Sequence, residues 1–395
     1  SNNDGCVVAR SAEAKWLGIK AGTPYYQLGR MFPGVKIEAF SSNYELYGEM
    51  TGRVMTIIRD MAPECFRYSI DEAFAVLDGF TVDELHEWGT ALHDRVMQSV
   101  GMPVSIGIAP TKTMAKMASH YAKKYAGYGH CCVIDTEERR IKAEQLYPIG
   151  EVWGIGRRYQ ARLESMGIRT AYDFASHARS WVSATFRTVI MERTWAELNG
   201  VDCIPDDIPA KKKSVCTSRS FRDMTSDFDT LHTHIANFAA RCAEKARRQR
   251  SVATVVGVFV DTNHFRTDLT QYWNMTEQTL RMPSASTIEI VKAATACLKR
   301  IYRADVMYKK AGVILLGVVP DNAIQTDLFT FDADRHRQMQ SLDSAVDRLN
   351  KVEGTETVVL SSQQYGKGQK FADAIRRERK SQCPTTRWTD IIKLK

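Results

Sequence analysis

Residues 65–77, CFRYSIDEAFAVL, set two adjacent carboxylates, Asp71 and Glu72, in the middle of an apolar, β-branched and aromatic run. Side chains alternate between faces along a strand, so an unbroken strand would drive one of these acids into the core. A hairpin removes that cost: FRYSI and AFAVL pair as strands, Asp71 and Glu72 form the turn, and both acids lean toward one rim. Two like charges that close repel unless a cation lies between them. Hard oxygen donors suit magnesium or manganese, and an acidic turn simply solvated is the plainer alternative.

The flanking segments give the hairpin a fold. YELYGEMTGRVMTIIRDMA (44–62) carries Leu46, Met50, Val54, Ile57 and Ile58 on one side of a helix. After the hairpin, TVDELHEWGTALHDRVMQSVG (81–101) reads as a second helix with Thr81 or Asp83 as cap, followed by a short strand in PVSIGIA. The order α, β, β, α, β is the split βαββαβ pattern without its first strand. The chain begins at Ser1, and an N-terminal strand is expected to be missing from it. A basic helix, TKTMAKMASHYAKKYAG, and a strand, CCVID, complete residues 44–143.

At 395 residues the chain exceeds a single core and divides into several domains. No apolar run approaches the ~20 residues that span a bilayer. The nine cysteines include no C-x-x-C spacing, so neither a zinc site nor a disulfide framework is indicated, and a cytoplasmic setting fits. The net charge of +8 is unevenly spread: residues 211–319 hold 18 Lys and Arg against 9 Asp and Glu, while residues 1–143 hold 16 against 17. That surplus begins at KKK (211–213) and includes Arg247, Arg248 and Arg250 of RRQR. It reads as a nucleic-acid contact or as an ordinary solvated basic face.

Residues 144–210 are expected to be helical, with turns at Gly154, Gly156 and Gly167. VWGIGRRYQARLESMGI has helix-hairpin-helix spacing, in which backbone N–H groups around Gly154, Gly156 and Arg157 meet a phosphate; a plain helix turn is the alternative. It is not a dinucleotide fingerprint, because the third glycine would fall at Tyr159. A polar, Pro-containing stretch at 205–213 reads as a linker. Residues 214–319 then give strand, helix, strand, strand, helix, strand, a second βαββαβ module carrying the charge surplus.

Taken together, YSIDEA, VSIGIAPTKTMAKMAS, VWGIGRR and FSSNYELYGEM resemble the Y-family, or translesion, DNA polymerases, most closely the bacterial UmuC branch that serves SOS mutagenesis. The resemblance spans nearly the whole chain. It implies an α+β right-hand polymerase: fingers in 1–43, a ferredoxin-like palm in 44–143, a helix-hairpin-helix thumb in 144–210, a little finger in 211–319, and a clamp- and partner-binding region in 320–395. Asp71 and Glu72 match the paired acids that hold two magnesium ions, with manganese as the alternative. Lys123 matches the lysine on the triphosphate, and Lys15 falls where related branches carry an arginine, which it replaces with a point charge lacking the bidentate fork. Ala12 stands where those branches carry a tyrosine.

The same resemblance assigns a third metal-binding carboxylate and an aromatic sugar-selecting residue to the first palm strand, so the chain as written is expected to bind DNA but to polymerise poorly. QTDLF (325–329) looks like a sliding-clamp peptide, with Gln325, Leu328 and Phe329 as its anchors. The terminal CPTTRWTDIIKLK resembles the part of the family implied to meet a processed UmuD-type dimer and the recombinase filament. Primer-template DNA, including damaged DNA, and deoxynucleoside triphosphates are the implied substrates, in a cytoplasmic, nucleoid-associated setting without a membrane. A non-catalytic clamp- and DNA-binding adaptor and a nucleotide cyclase on a similar palm are the competing readings.

Overall fold

The structure, a computed structural model, describes residues 4–62, 64–206, 212–322, 332–354, 357–363, 378–383, 385 and 390–391. The chain forms two compact units, Ser1–Ser42 with Ala210–Arg379, and Asn43–Pro209 with Lys380–Lys395. The N-terminal piece of the first unit holds two short helices, α1 (Ala12–Trp16) and α2 (Leu28–Met31). The Ser11 hydroxyl caps α1 by accepting the Ala14 N–H at 3.2 Å.

The second unit opens with α3 (Tyr44–Met61), close to the expected 44–62. Strands β1 (Cys65–Arg67) and β2 (Ala73–Ala75) pair antiparallel, with Phe66 opposite Phe74. Helix α4 (Val82–Val100) starts where expected, and Glu84 accepts both the N–H and the hydroxyl of Thr81 at 2.7 Å, tying off the first turn. Val54 and Ile57 of α3 meet Leu92 and Val96 of α4 in a small core, since residues three and four apart share a helix face. Strand β3 (Ile106–Ile108), helix α5 (Lys112–Lys124) and strand β4 (Cys131–Val133) form a parallel pair with its crossover helix. Strands expected to share one sheet thus form two short pairs among the described residues, β1 with β2 and β3 with β4.

Gly107 is required at the β3–α5 contact. A Cβ there would lie 2.1 Å from the Ser119 nitrogen and 2.2 Å from the Ala115 oxygen, so only glycine lets the helix backbone lie this close to the strand. The other face of α5 joins the helices that follow: α6 (Glu137–Leu146), α7 (Arg157–Ser165), α8 (Ala171–Ala175), α9 (Arg179–Phe186) and α10 (Val189–Leu198). Met114, Met117 and Tyr121 pack in one core with Ile149, Leu163, Phe174 and Met191. Buried Glu197 reinforces this junction by accepting the N–H groups of Thr113, Cys203 and Ile204 at 2.9, 3.0 and 3.1 Å. At the α3 N-terminus, Asn43 donates to the Ser381 carbonyl at 3.1 Å, Lys380 pairs with Glu45 at 3.0 Å, and Thr385 donates to Glu49 at 2.7 Å.

The rest of the first unit is the second βαββαβ module: β5 (Val215–Thr225), α11 (Phe228–Arg248), β6 (Ser251–Thr262), β7 (Trp273–Ser284), α12 (Thr287–Ile301) and β8 (Tyr308–Leu316). The strand order is β5-β8-β6-β7, every pairing is antiparallel, and a short β9 (Val319–Pro320) pairs with β6. Val256, Val258, Val260, Val313 and Leu315 point from the central strands into a core shared with Ile235, Phe238, Ile290 and Leu298 of the helices. Their alternation along each strand is the period-2 signature of a sheet covered on one face. Helix α13 (Ala333–Val352) follows.

Candidate active site and nucleic-acid contacts

The acids sit on a turn wider than the two residues the sequence implies. Pairing ends at Arg67 and Ala73, leaving residues 68–72 between the strands. The Glu72 carbonyl accepts the N–H groups of both Tyr68 and Ser69, at 3.0 and 3.1 Å, and this folds the loop tightly. The Ser69 hydroxyl donates to Asp71 Oδ1 at 2.7 Å and stands 3.5 Å from Glu72 Oε2. Both carboxylates are exposed, and each has an oxygen within 3.5 Å of the same hydroxyl.

Sequence reasoning missed the cation beside them. Lys116 of α5 pairs its ammonium with Glu72 Oε1, and the same ammonium lies 5.2 Å from the Tyr68 ring centroid and 5.8 Å from that of Phe74. Trp153 packs against both rings at 5.5 and 5.7 Å and donates its indole N–H to the Tyr68 hydroxyl at 3.3 Å. The signal was present in TKTMAKMAS, where Lys112 and Lys116 recur at i,i+4 on one helix face. Lys112 is committed elsewhere, to Asp202 and Asp206 at 3.2 and 3.1 Å and to the Ile204 carbonyl at 2.8 Å. Residues 202–206, which lead into the linker expected at 205–213, are thereby fastened to α5.

The two acids fit a magnesium-type ion. Such an ion takes one or two carboxylates and completes its octahedron with water and substrate phosphate rather than with a full protein cage. Among the described residues no group of three or more His, Cys, Asp or Glu side chains is arranged to hold a metal.

The remaining candidates lie as follows. Lys123 is exposed in the last turn of α5, where its charge also complements the helix C-terminus. Lys15 is exposed on α1, in the first unit. Gly154 has φ +94°, a left-handed conformation, and a Cβ there would come 2.6 Å from Thr194 Oγ1; glycine alone suits this turn. Gly156 is the N-cap of α7 and Arg157 its first residue, both exposed, so the free N–H groups of this helix end face solvent.

The arginines of RRQR separate into two kinds. Arg248 and Arg250 are exposed, Arg248 paired with Glu244 one turn back. Arg247 is turned inward. It donates to both Asp347 oxygens at 2.7 Å, to the Ala285 carbonyl at 2.7 Å and to the Thr287 hydroxyl at 3.0 Å, with Asp343 3.4 Å away. Burial works against its charge, and the Asp347 and Asp343 carboxylates outweigh that and raise its pKa. Its guanidinium, expected to meet a phosphate backbone, is spent on fastening α13 where α11 ends and α12 begins. Gln325, Leu328 and Phe329 lie outside the described residues, as does most of the C-terminal tail.

Comparison with known proteins matches this architecture. The impB/mucB/samB family model covers residues 1–120, the model of that family's C-terminal domain covers residues 212–328, and a domain of unknown function, DUF4113, covers residues 340–394. Protein UmuC of Salmonella typhimurium (strain LT2) is 37% identical over 399 residues, spanning 100% of this chain and 93% of that protein. Protein ImpB of Salmonella typhimurium is 37% identical over 395 residues, spanning 99% and 92%. Among solved structures, a Y-family DNA polymerase chimera of Dbh and Dpo4 matches with a TM-score of 0.60 at 19% identity, over 81% of this chain and 89% of that one, a likeness of fold. With a full-length relationship at this identity, the chain belongs to the impB/mucB/samB family, the UmuC branch of the Y-family polymerases.

Proposed function

We propose that this chain performs template-directed nucleotidyl transfer in error-prone translesion DNA synthesis of the SOS response, with Asp71 and Glu72 as the acids that hold its divalent cations. The observation that carries this reading is the turning of both carboxylates to the Ser69 hydroxyl on an exposed turn. Two magnesium ions, or manganese in their place, supply activation of the primer 3′-hydroxyl and neutralisation of the triphosphate when bound. The protein's share is positional and electrostatic. The hairpin keeps the acids at the rim, and Ser69 orients both side chains.

Lys123 and Lys15 serve as point charges toward the triphosphate. The Gly154–Gly156 turn and Arg157 offer N–H groups and charge to a nucleic-acid phosphate. Arg248 and Arg250 add sequence-independent backbone contacts, which makes affinity fall with salt and leaves base readout slight. Gln325, Leu328 and Phe329 engage the sliding clamp, and the tail engages a processed UmuD-type dimer and the recombinase filament, in a cytoplasmic, nucleoid-associated setting. No helix among the described residues is long and apolar enough to cross a membrane.

Single-nucleotide incorporation by the intact protein tests the assignment. Asp71→Asn and Glu72→Gln each abolish incorporation while primer-template affinity stays nearly unchanged. Retained turnover in either variant removes the cation-holding role.

A further inference from the structure

Lys116 is held as surface lysines are not. Its side chain is 22% exposed, its ammonium stands over Tyr68 and Phe74, and it reaches the carboxylate of Glu72, which is 45% exposed. The rings that seat it are themselves fixed, at 5.7 Å from one another and both against Trp153. Gly107 sets the height of α5 over β3, and so fixes where Lys116 starts from. The Ser69 hydroxyl has a single proton for two carboxylates, so it cannot by itself offset their repulsion.

Resting on the reading of Asp71 and Glu72 as cation-holding acids, we propose that Lys116 is a positioning residue acting through Glu72, the resident counter-cation of the acid turn. Its ammonium keeps the two carboxylates together before a dication arrives, and it opposes that arrival because it carries the same sign of charge. The turn is thereby assembled in advance yet binds a dication weakly on its own. A triphosphate brings several negative charges, which offset the lysine and let the dication enter with the nucleotide. Cation loading is in this way coupled to substrate loading, without any change in the acids themselves.

Manganese titration of the intact protein, free of DNA and nucleotide and followed by the loss of the free-ion electron paramagnetic resonance signal, tests this. Lys116→Met keeps an unbranched stem for the rings and removes the charge, and Lys116→Gln is the second neutral variant should the first misfold. Either is expected to bind manganese about tenfold more tightly than the wild type, about 1.4 kcal/mol. Lys116→Arg keeps the charge and is expected to stay near wild type. The neutral variants' advantage over the wild type should shrink once triphosphate is present, with the signal lost to manganese–triphosphate alone subtracted. Unchanged or weaker manganese binding in a folded neutral variant overturns the inference. Asp71→Asn separates the two levels: if it binds manganese as the wild type does, the cation-holding reading of the acids fails.

Discussion

Replacing Arg247 by alanine should destabilise the first unit rather than simply weaken a DNA contact. The side chain donates two 2.7 Å bonds to Asp347, one to the Ala285 carbonyl and one to Thr287, and it stands 3.4 Å from Asp343. Asp347, 30% exposed, can rehydrate when the guanidinium is gone. Asp343, 9% exposed, cannot, and among the described residues keeps the Thr287 N–H at 3.3 and 3.4 Å. Breaking a buried ion pair on one side costs roughly 3–5 kcal/mol, and the partly exposed partner places this case near 3 kcal/mol. For a unit of this size that lowers Tm by about 10 °C.

Asp343→Asn in the same chain removes the stranded charge and should recover about 1–2 kcal/mol, a coupling that a double-mutant cycle reads directly. Arg248, 74% exposed and paired with Glu244, is the comparison. Arg248→Ala should change stability by less than ~0.5 kcal/mol, yet lower primer-template affinity and flatten its salt dependence by about one unit of slope. Urea unfolding and DNA titrations over a range of salt measure both quantities. An Arg247→Ala protein as stable as wild type, with a DNA defect like that of Arg248→Ala, would refute the assignment of Arg247 to α13.

Two more expectations concern the unit that carries the acids. Gly107→Ala forces a Cβ to within 2.2 Å of the α5 backbone at Ser119 and Ala115; a cost of roughly 3 kcal/mol is expected, read as a lower Tm, and a variant of wild-type stability would contradict the close packing. Burial pushes the Glu144 carboxyl up to about 7, against the opposing pull of Arg140, which donates to it at 3.1 and 3.3 Å. With a folded-state pKa above the ordinary 4.5, its contribution to stability is full below pH 4.5 and is lost as pH rises through about 7. Wild type should therefore lose stability relative to Glu144→Gln as pH rises across that window, and a constant offset between the two curves would show that Glu144 does not titrate there.

Local pattern carried much of this fold. Helices α3 and α4 fall within one or two residues of expectation because their apolar period and the Thr81–Glu84 cap are written in contiguous sequence. The second βαββαβ module is legible in the same way, since β6 and β8 cluster their apolar positions over 12 and 9 residues; β7, expected over 276–282, runs from Trp273 to Ser284 because its ends are held by pairing with β6 rather than by an apolar pattern. The sequence implies longer hairpin strands than form, because FRYSI and AFAVL keep their apolar character past the point where Glu72 closes the turn on Tyr68 and Ser69.

What escaped reading depends on partners distant in sequence. Lys116 looks like any solvated helical lysine until Glu72, Tyr68 and Phe74 are brought beside it. Arg247 lies 100 residues from Asp347, and a basic run invites the reading of a solvated face. Its phase nevertheless held the answer. Ala239, Ala243 and Ala246 are buried at helical spacing, and Arg247, four residues beyond Ala243, continues that inner stripe while Arg248 turns outward.

The most direct measurement is anomalous diffraction from manganese in crystals of the intact protein with primer-template and a non-hydrolysable deoxynucleoside triphosphate. A manganese peak about 2.1–2.3 Å from a carboxylate oxygen of both Asp71 and Glu72 is predicted. Manganese bound to the triphosphate with neither side chain among its ligands would contradict the account.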